Sequence, residues 1–191
     1  MKIGIISDTH GSLTAWQLAV ENCFQTVDLV IHCGDLLYHG PRNPLPEGHN
    51  PKQLALAINQ FAKPLVIVKG NCDAEVDQMV LDYPLESPYA HILTPEYRIL
   101  AHHGHAFTPE NFPLKATRCG GSPFILISGH THIPEIKPMG GLLLLNPGSP
   151  ALPKSESGAR APQKTVALID GAAIAILNIE NGEPLTRYHL A

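Results

Sequence analysis

Short apolar runs separated by polar segments dominate the first two-thirds of the chain. The runs are rich in Val, Ile and Leu, and their lengths are typical of buried strands rather than helices. Each of them ends directly in residues that can bind a metal. We therefore predict five buried strands, at Lys2–Ser7, Asp28–Cys33, Pro64–Lys69, Tyr97–Ala101 and Pro123–Ser128.

Two segments between these runs carry apolar residues at helical spacing. The first is Leu13–Phe24, for which Ser12 is a suitable N-cap, and the second is Pro51–Ala62. Asn50 can cap the second helix, and a proline at position 51 suits its first turn. An alternation of strands and helices predicts an α/β fold, with helices packed outside a sheet.

The pattern changes after residue 132, where short apolar runs follow one another without intervening helices. Asp170-Gly171 is a good hairpin signal, and Asn181-Gly182 is a second turn. We expect this β-rich third to add a second sheet or to extend the first, within a single domain of residues 1–191. The predicted strands are Leu142–Leu145, Thr165–Ile169, Ala172–Ile179 and Thr186–His189.

Two segments have the composition of loops. Pro153–Gln163 is rich in Ser, Gly, Pro and Lys, and we expect a mobile loop there. Tyr38–Asn50 contains three prolines, two glycines, an arginine and two histidines. Loops of about a dozen residues are often functional. Because this loop starts just after Asp35, which follows a predicted strand, we expect the loop to cover the carboxyl ends of the strands.

The length, composition and charge of the chain exclude several classes of protein. A chain of 191 residues with 44% apolar and 16% charged residues is typical of one globular domain. The formal charge is −4 and the basic residues are scattered, so we expect no nucleic-acid polymer as a partner. No apolar stretch approaches the roughly 20 residues of a membrane span, so no membrane association is expected. Four widely spaced cysteines and the lack of a signal-peptide pattern favour a cytoplasmic protein with reduced thiols.

Polar residues directly follow the five predicted strands. In open α/β sheets ligands bind beyond the carboxyl ends of the strands, so these residues should converge. Asp, His and Asn together form a ligand set for hard-to-borderline divalent metals. The five segments are Asp8-Thr9-His10, Gly34-Asp35, Gly70-Asn71-Cys72-Asp73, His102-His103-Gly104-His105 and Gly129-His130-Thr131-His132.

These residues can be divided between two metal ions that share one carboxylate. A hydroxide shared by two cations is a strong nucleophile near neutral pH. Two divalent ions supply four positive charges, and two aspartates with the hydroxide remove three, leaving about +1 to receive a phosphodiester monoanion. The pattern predicts metal-assisted phosphoester hydrolysis by in-line attack. The assignment is Asp8, His10 and His132 to one ion, Asn71, His103 and His130 to the other, and Asp35 to the bridge.

The ordered motifs Asp-x-His, Gly-Asp, Gly-Asn-x-Asp, His-Gly-His and Gly-His-x-His resemble the calcineurin-like metallophosphoesterases. His39–Asn43, Gly70–Asp73, Glu75–Met79 and Asn146–Ser149 resemble, more closely, the bacterial YfcE-type phosphodiesterases. The resemblance implies a two-sheet α/β sandwich flanked by helices in four layers. It also implies manganese-supported phosphodiesterase activity and a homo-oligomer. We expect a small phosphodiester as the substrate, although the resemblance does not identify it. Mixed Asp/Asn/His sites also accept zinc or iron, so these ligands do not decide the identity of the metal.

One position departs from the wider family, in which many members carry a histidine after the Gly-Asn pair. Here that residue is Cys72, and we expect nearby cations to lower its pKa and make it a poor proton donor. The enzyme should then favour diesters with good leaving groups. An inert core thiol is the alternative. The expected catalytic residues are Asp35, Asn71, Cys72, His103 and His105.

Several neighbouring residues have both a functional and a structural interpretation. His105 either contacts phosphate or braces its loop, Arg42 either clamps phosphate or is solvated, and Asp73 either orients a ligand histidine or forms a turn. Gly148 and Ser149 either shape the pocket or permit a turn. His32, His91, His102 and His189 are expected to be structural.

Two rival functions remain for this set of motifs. One is a phosphomonoesterase, against which Cys72 and the low positive charge of the site both argue. The other is a non-catalytic scaffold, because a branch of this fold serves as a protein-binding subunit of the retromer coat with a degraded metal site. All seven expected ligands are present here, and this favours the enzyme.

Overall fold

The computed structural model describes residues 1–85, 87–107, 124–139, 141–155 and 161–190. In these ranges the chain forms two α-helices, eleven strands and one 3₁₀ helix, Glu75–Met79. The helices are α1, Leu13–Asn22, and α2, Pro51–Asn59. The strands are β1 Lys2–Ile6, β2 Leu29–His32, β3 Leu65–Ile67, β4 Tyr89–Leu93, β5 Arg98–His102, β6 Phe124–Ile127, β7 Pro134–Met139, β8 Leu142–Pro147, β9 Thr165–Asp170, β10 Ala173–Asn178 and β11 Pro184–His189.

The strands form two mixed sheets. The first sheet has the order β11-β10-β9-β1-β2-β3, and the second has the order β4-β5-β6-β8-β7. Strands β1, β2 and β3 run parallel to one another, as do β5, β6 and β8. Each sheet therefore presents three carboxyl strand ends at one edge, where side chains from different strands can meet.

Alternating residues of the strands explain why the two sheets stack. Ile3 and Ile5 of β1 pack between the sheets against Ile99 and Ile125, whereas Ile6 faces the helices. All of these side chains are almost completely buried. Burying such apolar surface on both faces of a parallel sheet is the main driving force for this arrangement.

Both helices begin where their capping residues predict. The Ser12 side chain accepts a hydrogen bond from the Ala15 N–H at 3.1 Å, and Asn50 caps α2 through the Gln53 N–H at 3.2 Å. The helices end earlier than expected, at Asn22 and Asn59.

The C-terminal third was expected either to add a second sheet or to extend the first, and its strands contribute to both sheets. Strands β9, β10 and β11 extend the first sheet, and β8 joins the second. The Asp170-Gly171 hairpin is confirmed, since β9 pairs antiparallel with β10 across it. The sequence interpretation missed β4 and β7, both of which lie at edges of the second sheet. Strand β7 contains Pro134 and Pro138, which an edge strand tolerates and a central strand does not.

The predicted α/β two-sheet sandwich is confirmed, with α1 and α2 packed on the first sheet. Residues 108–123, which include Cys119 and join β5 to β6, lie outside the described residues, as do residues 156–160 of the predicted mobile loop. The other three cysteines are free thiols. Within the described ranges, no helix combines the length and the apolarity that crossing a bilayer requires.

Candidate metal centre

Carboxyl ends of five strands bring the predicted ligands to one edge of the sandwich. Asp8 and His10 follow β1, Asp35 follows β2 and Asn71 follows β3. The second sheet contributes the three remaining histidines, His103 after β5 and His130 and His132 after β6. All seven candidates therefore lie together, as their positions at strand ends predicted.

One group of ligand atoms consists of Asp8, His10 and His132, all of them buried. The His132 Nε2 atom lies 3.3 Å from Asp8 Oδ1 and 3.2 Å from His10 Nε2. His10 Nε2 is 3.7 Å from the same carboxylate oxygen. Two imidazole nitrogens and a carboxylate oxygen thus face a common point, which is the arrangement that a divalent cation requires.

A second group surrounds His103, whose Nε2 lies 3.1 Å from Asn71 Oδ1 and 3.4 Å from Asp35 Oδ1. The ring of His130 is adjacent, with its centroid 5.1 Å from that of His103. The other Asp35 oxygen, Oδ2, is 3.8 Å from His10 Nε2 in the first group. Asp35 therefore reaches both groups, as a bridging carboxylate must.

Backbone carbonyl groups fix the orientation of three of these histidines. A histidine that donates Nδ1–H to a carbonyl oxygen keeps an unprotonated Nε2 free to bind a metal. The pairs are His10 with Tyr38 O at 2.8 Å, His103 with Cys33 O at 2.7 Å, and His132 with Leu152 O at 2.6 Å. With this tautomer the Nε2 lone pairs of His10 and His132 point at each other, and they repel unless a cation lies between them.

Backbone N–H groups hold the carboxylates of both aspartates in place at the centre. Asp8 Oδ2 accepts the His130 N–H at 2.9 Å, whereas Asp8 Oδ1 is buried without a hydrogen-bond partner. Asp35 Oδ1 accepts the Cys72 N–H at 2.8 Å. A buried, unpartnered carboxylate oxygen is costly on its own, and a bound cation would satisfy it. The donor set therefore fits divalent metal ions.

The pKa values indicate where positive charge is favoured. Burial raises the pKa of Asp8 and Asp35, but the adjacent imidazoles outweigh it and lower both, so the carboxyls stay ionised. Burial lowers the pKa of His103, but its hydrogen bond to Asp35 and the two carboxylate charges raise it to about 9. The metal-free protein therefore favours the protonated form of His103, and a bound cation would supply this positive charge instead.

Strained backbone is concentrated in the same residues. Among the described non-glycine residues, positive φ angles occur at Asp8 (57°), His10 (47°), Asp35 (57°), His130 (68°) and His132 (63°). Such conformations cost on the order of 1–3 kcal/mol each and persist only where the surroundings impose them. All five are predicted ligands, so the strain marks the same site independently of side-chain chemistry.

Two glycines allow the strand ends to approach this closely. A Cβ atom at Gly70 would overlap the Asp35 carboxylate, and one at Gly129 would overlap Ser7 Oγ and lie 2.7 Å from Asp8 Oδ2. Neither position can accept a side chain unless a ligand moves. The Gly-Asn and Gly-His pairs of the sequence are thus steric requirements of the site.

Asp73 corrects one of the sequence hypotheses, because it contacts no ligand histidine. Its buried carboxylate accepts three backbone N–H groups, from Asp35 at 2.8 Å, Leu36 at 2.7 Å and Gly70 at 2.7 Å. Burial raises the pKa of Asp73 to about 6, although these donors lower it. Asp73 therefore fixes the backbone that carries Asp35.

The loop after β8 supports the centre from the other side. Ser149 Oγ donates to the Asp8 carbonyl at 2.8 Å and accepts from the N–H groups of Ala151 at 3.2 Å and Leu152 at 2.8 Å. Ser149 is completely buried, and Gly148 before it has φ +75°. Both sequence interpretations hold here, since the glycine permits the turn and the serine shapes the site.

A cavity of about 840 Å³ opens onto the ligands. The expected position of the Tyr38–Asn50 loop is confirmed, because its residues 38 and 40–43, including Arg42, form one wall. Lys154 lines the cavity as well, and sequence reasoning missed it because a lysine in a polar loop carries no motif. His39 instead lines a separate, mainly apolar cavity next to α2.

Cys72 lies at the cavity with its thiol near the metal ligands. Its Sγ belongs to a group of possible ligand atoms with His10 and Asp35. Burial and the Asp35 charge raise the pKa of Cys72 to about 12 in the metal-free protein. The lowering expected from bound cations stays a prediction. A thiol this weakly acidic is still a poor general acid near neutral pH.

Three further histidines have distinct environments. His105 is exposed, and its ring contacts those of His103 and His130 without lining the cavity. His102 is buried, and burial lowers its pKa to about 4. His32 is buried between the Thr9 hydroxyl and the Gly34 N–H, as expected for a structural residue.

A two-sheet sandwich with Asp, Asn and His at the ends of its parallel strands defines a metallophosphoesterase, an enzyme that hydrolyses phosphate esters. The comparison with family models agrees. The calcineurin-like phosphoesterase superfamily domain matches residues 1–172, and the chain belongs to this family.

Individual relatives carry the same fold. Phosphodiesterase YfcE of Escherichia coli is 41% identical over 155 residues, which cover 81% of this chain and 82% of YfcE. The solved structure of the E. coli phosphoesterase YfcE has a TM-score of 0.88 at 33% identity and covers 100% of both chains. A probable metallophosphoesterase of Methanocaldococcus jannaschii is 38% identical over 159 residues, which cover 81% of this chain and 70% of that protein.

The fold also extends to proteins of much lower sequence identity. A Vps29 variant from Entamoeba histolytica has a TM-score of 0.65 at 22% identity, and the match covers 100% of both chains. A similarity at this level of identity concerns the fold alone.

Proposed function

We propose that this protein is a metal-dependent phosphodiesterase with a dinuclear centre. The observation that carries the proposal is that two ligand groups, Asp8-His10-His132 and Asp8-Asp35-His103, lie side by side. Asp35 lies within 4 Å of a histidine from each group. Two ions held side by side are the arrangement that two-metal phosphoester hydrolases use.

The chain supplies the geometry of such a centre. Bound divalent ions would supply Lewis acidity and a hydroxide nucleophile at neutral pH. His10, His103 and His132 would hold the ions through Nε2, since their Nδ1 atoms are engaged with backbone carbonyl groups. Asp35 would bridge the ions, and Asn71 would contribute a neutral oxygen. The proposed role of His105, next to His103 and His130, is contact with the substrate phosphate.

The residues favour diesters over monoesters for two reasons. A neutral Asn71 in place of a third carboxylate leaves a net charge of about +1 at a two-metal centre, which suits a monoanionic diester. Cys72, whose thiol is a poor proton donor for an alkoxide, stands where an imidazole could protonate a poor leaving group. The name phosphodiesterase given to YfcE of E. coli, 41% identical to this chain, supports the same choice.

Four other properties belong to the proposal. Manganese is the favoured metal by resemblance, with zinc or iron as alternatives that the same ligand types accept. The substrate is a small phosphodiester rather than a nucleic-acid polymer, in line with the formal charge of −4. The protein acts in the cytoplasm, with reduced thiols. It assembles as a homo-oligomer.

The direct test compares bis-(nitrophenyl) phosphate with nitrophenyl phosphate as substrates for metal-stripped protein reconstituted with manganese. We expect metal-dependent cleavage of the diester and little cleavage of the monoester. Asp35→Asn should abolish this activity, while the matched control Asp82→Asn, which changes an exposed carboxylate, should retain it. Equal or faster cleavage of the monoester would contradict the diester assignment. Inactivity with every divalent ion would favour the alternative of a non-catalytic scaffold.

A further inference from the structure

Two positively charged side chains line the cavity on loops that also orient the metal ligands. Arg42 lies four residues after Tyr38, whose carbonyl oxygen accepts the His10 Nδ1–H. Lys154 lies two residues after Leu152, whose carbonyl oxygen accepts the His132 Nδ1–H. Both side chains are therefore attached to the backbone segments that position the two histidines of the Asp8-His10-His132 group.

The backbone on both sides is held in place. Gly40, with φ +81°, turns the chain before Pro41, and the Asn43 side chain donates to the His39 carbonyl at 2.9 Å, closing the loop around Arg42. The Lys154 N–H donates to the His132 carbonyl at 3.1 Å. The two cations consequently have anchored main chains and exposed, adaptable side chains at the edge of the cavity.

Neither cation is neutralised by the described part of the chain. Arg42 and Lys154 form no ion pair or side-chain hydrogen bond there, in contrast to Lys164, which pairs with Glu47 at 2.8 Å. The carboxylates that line the cavity are those of Asp35 and Asp73. Asp35 lies among the metal ligands, and Asp73 is saturated by three backbone N–H groups.

We infer that Arg42 and Lys154 form a second anion site, which binds a further phosphate group on the diester substrate. This inference rests on the proposed function, in which the metal centre binds the scissile phosphate. A phosphodiester carries one negative charge, which the net charge of about +1 at that centre already balances. The positive charges of Arg42 and Lys154 are therefore not required to bind the scissile phosphate. A terminal phosphate carries about −1.5 to −2 charges at neutral pH, close to the charge of the two side chains.

Cavity size and side-chain geometry agree with this substrate class. A volume of about 840 Å³ is within the range of sites that enclose an entire small-molecule ligand, rather than a phosphate alone. The planar fork of Arg42 suits the oxygens of a phosphate, and Lys154 adds a compact charge from the loop after β8. The structure thus points to small diesters that carry an additional phosphate.

A pair of substrates that differ in a single phosphate tests the inference. Thymidine 5′-(nitrophenyl phosphate) and its 3′-phosphorylated form share the scissile bond, and both release nitrophenol. With manganese-loaded protein we expect the 3′-phosphate to lower KM about tenfold and to leave kcat nearly unchanged. Two exposed ion pairs acting together account for an effect of about this size.

Variants assign the effect to the two side chains. Arg42→Gln and Lys154→Gln should each reduce the KM advantage of the 3′-phosphate while leaving the KM of the unphosphorylated substrate nearly unchanged. The double variant should abolish the advantage. Lys137→Gln, which removes an exposed lysine of β7 away from the cavity, is the matched control and should behave as the wild type.

A binding measurement separates this inference from the proposed function. Calorimetric titration of metal-free protein with thymidine 3′,5′-bisphosphate should give binding that weakens in the double variant and at high salt. Equal KM values for the two substrates in the wild type, or bisphosphate binding that is the same in the double variant, would overturn the second anion site. Inactivity toward both substrates would overturn the proposed function, and the calorimetric titration would still decide on the anion site.

Discussion

Replacing Ser149 by alanine tests whether the loop after β8 holds the metal centre in place. The wild-type hydroxyl is completely buried and makes three hydrogen bonds, to the Asp8 carbonyl and to the N–H groups of Ala151 and Leu152. Alanine removes all three, which involve the buried Asp8 carbonyl and two part-buried N–H groups. It creates almost no cavity, so the hydrogen bonds account for the whole effect.

The magnitude follows from these contacts. A net loss of about 1 kcal/mol for each of the two bonds at 2.8 Å, and less for the bond at 3.2 Å, gives about 2–3 kcal/mol of lost stability. For a chain of this size that corresponds to a decrease in Tm of roughly 4–10 °C. Because the Leu152 carbonyl holds His132 and Asp8 is itself a ligand, metal affinity should fall about 10–100-fold.

Two measurements check this prediction. Urea unfolding of the metal-free protein gives the stability, and calorimetric titration with manganese gives the affinity. Ser155→Ala, at an exposed serine of the following segment, is the matched control and should change neither quantity. A stability loss below about 0.5 kcal/mol together with unchanged metal affinity would refute the reasoning that Ser149 positions the ligands.

Three further predictions concern the centre itself. In metal-free protein the pKa of His103 is about 9 against an ordinary 6.5, so its contribution to stability is complete below pH 6.5 and is lost as the pH rises through 9. Urea unfolding between these pH values should show a decrease of about 2 kcal/mol, which manganese removes; a flat profile without metal would contradict it. Cys72→His should extend activity toward substrates with poor leaving groups, and an unchanged ratio of rates for good and poor leaving groups would contradict the proposed role of Cys72. Gly129→Ala should strongly reduce manganese binding, because the added Cβ would collide with Ser7 and Asp8; wild-type affinity in that variant would show that the strand ends can move apart.

The position of the site could be predicted because it follows from topology. Parallel strands bring their carboxyl ends to one edge, and the residues after each strand are visible in the sequence. For this reason the amino-acid sequence alone places Asp8, Asp35, Asn71 and His103 together. Strands at the sheet edges were harder to predict. The prolines of β7 argue against a strand in the sequence, yet an edge strand tolerates them because one of its sides makes no ladder hydrogen bonds.

What could not be predicted depends on backbone geometry. The carbonyl groups of Tyr38, Cys33 and Leu152 orient the ligand histidines, yet any residue type supplies a carbonyl, so the sequence carries no signal for them. The same holds for Asp73, whose three partners are backbone N–H groups. Lys154 reaches the cavity only because the chain returns to it after β8.

Anomalous diffraction from crystals of the manganese-loaded protein would show whether two metal ions bind and share Asp35. We expect two anomalous peaks for each chain, one bounded by Asp8, His10 and His132 and the other by Asn71, His103 and His130, with Asp35 in contact with both. A single peak, or peaks away from these side chains at full metal loading, would contradict this expectation.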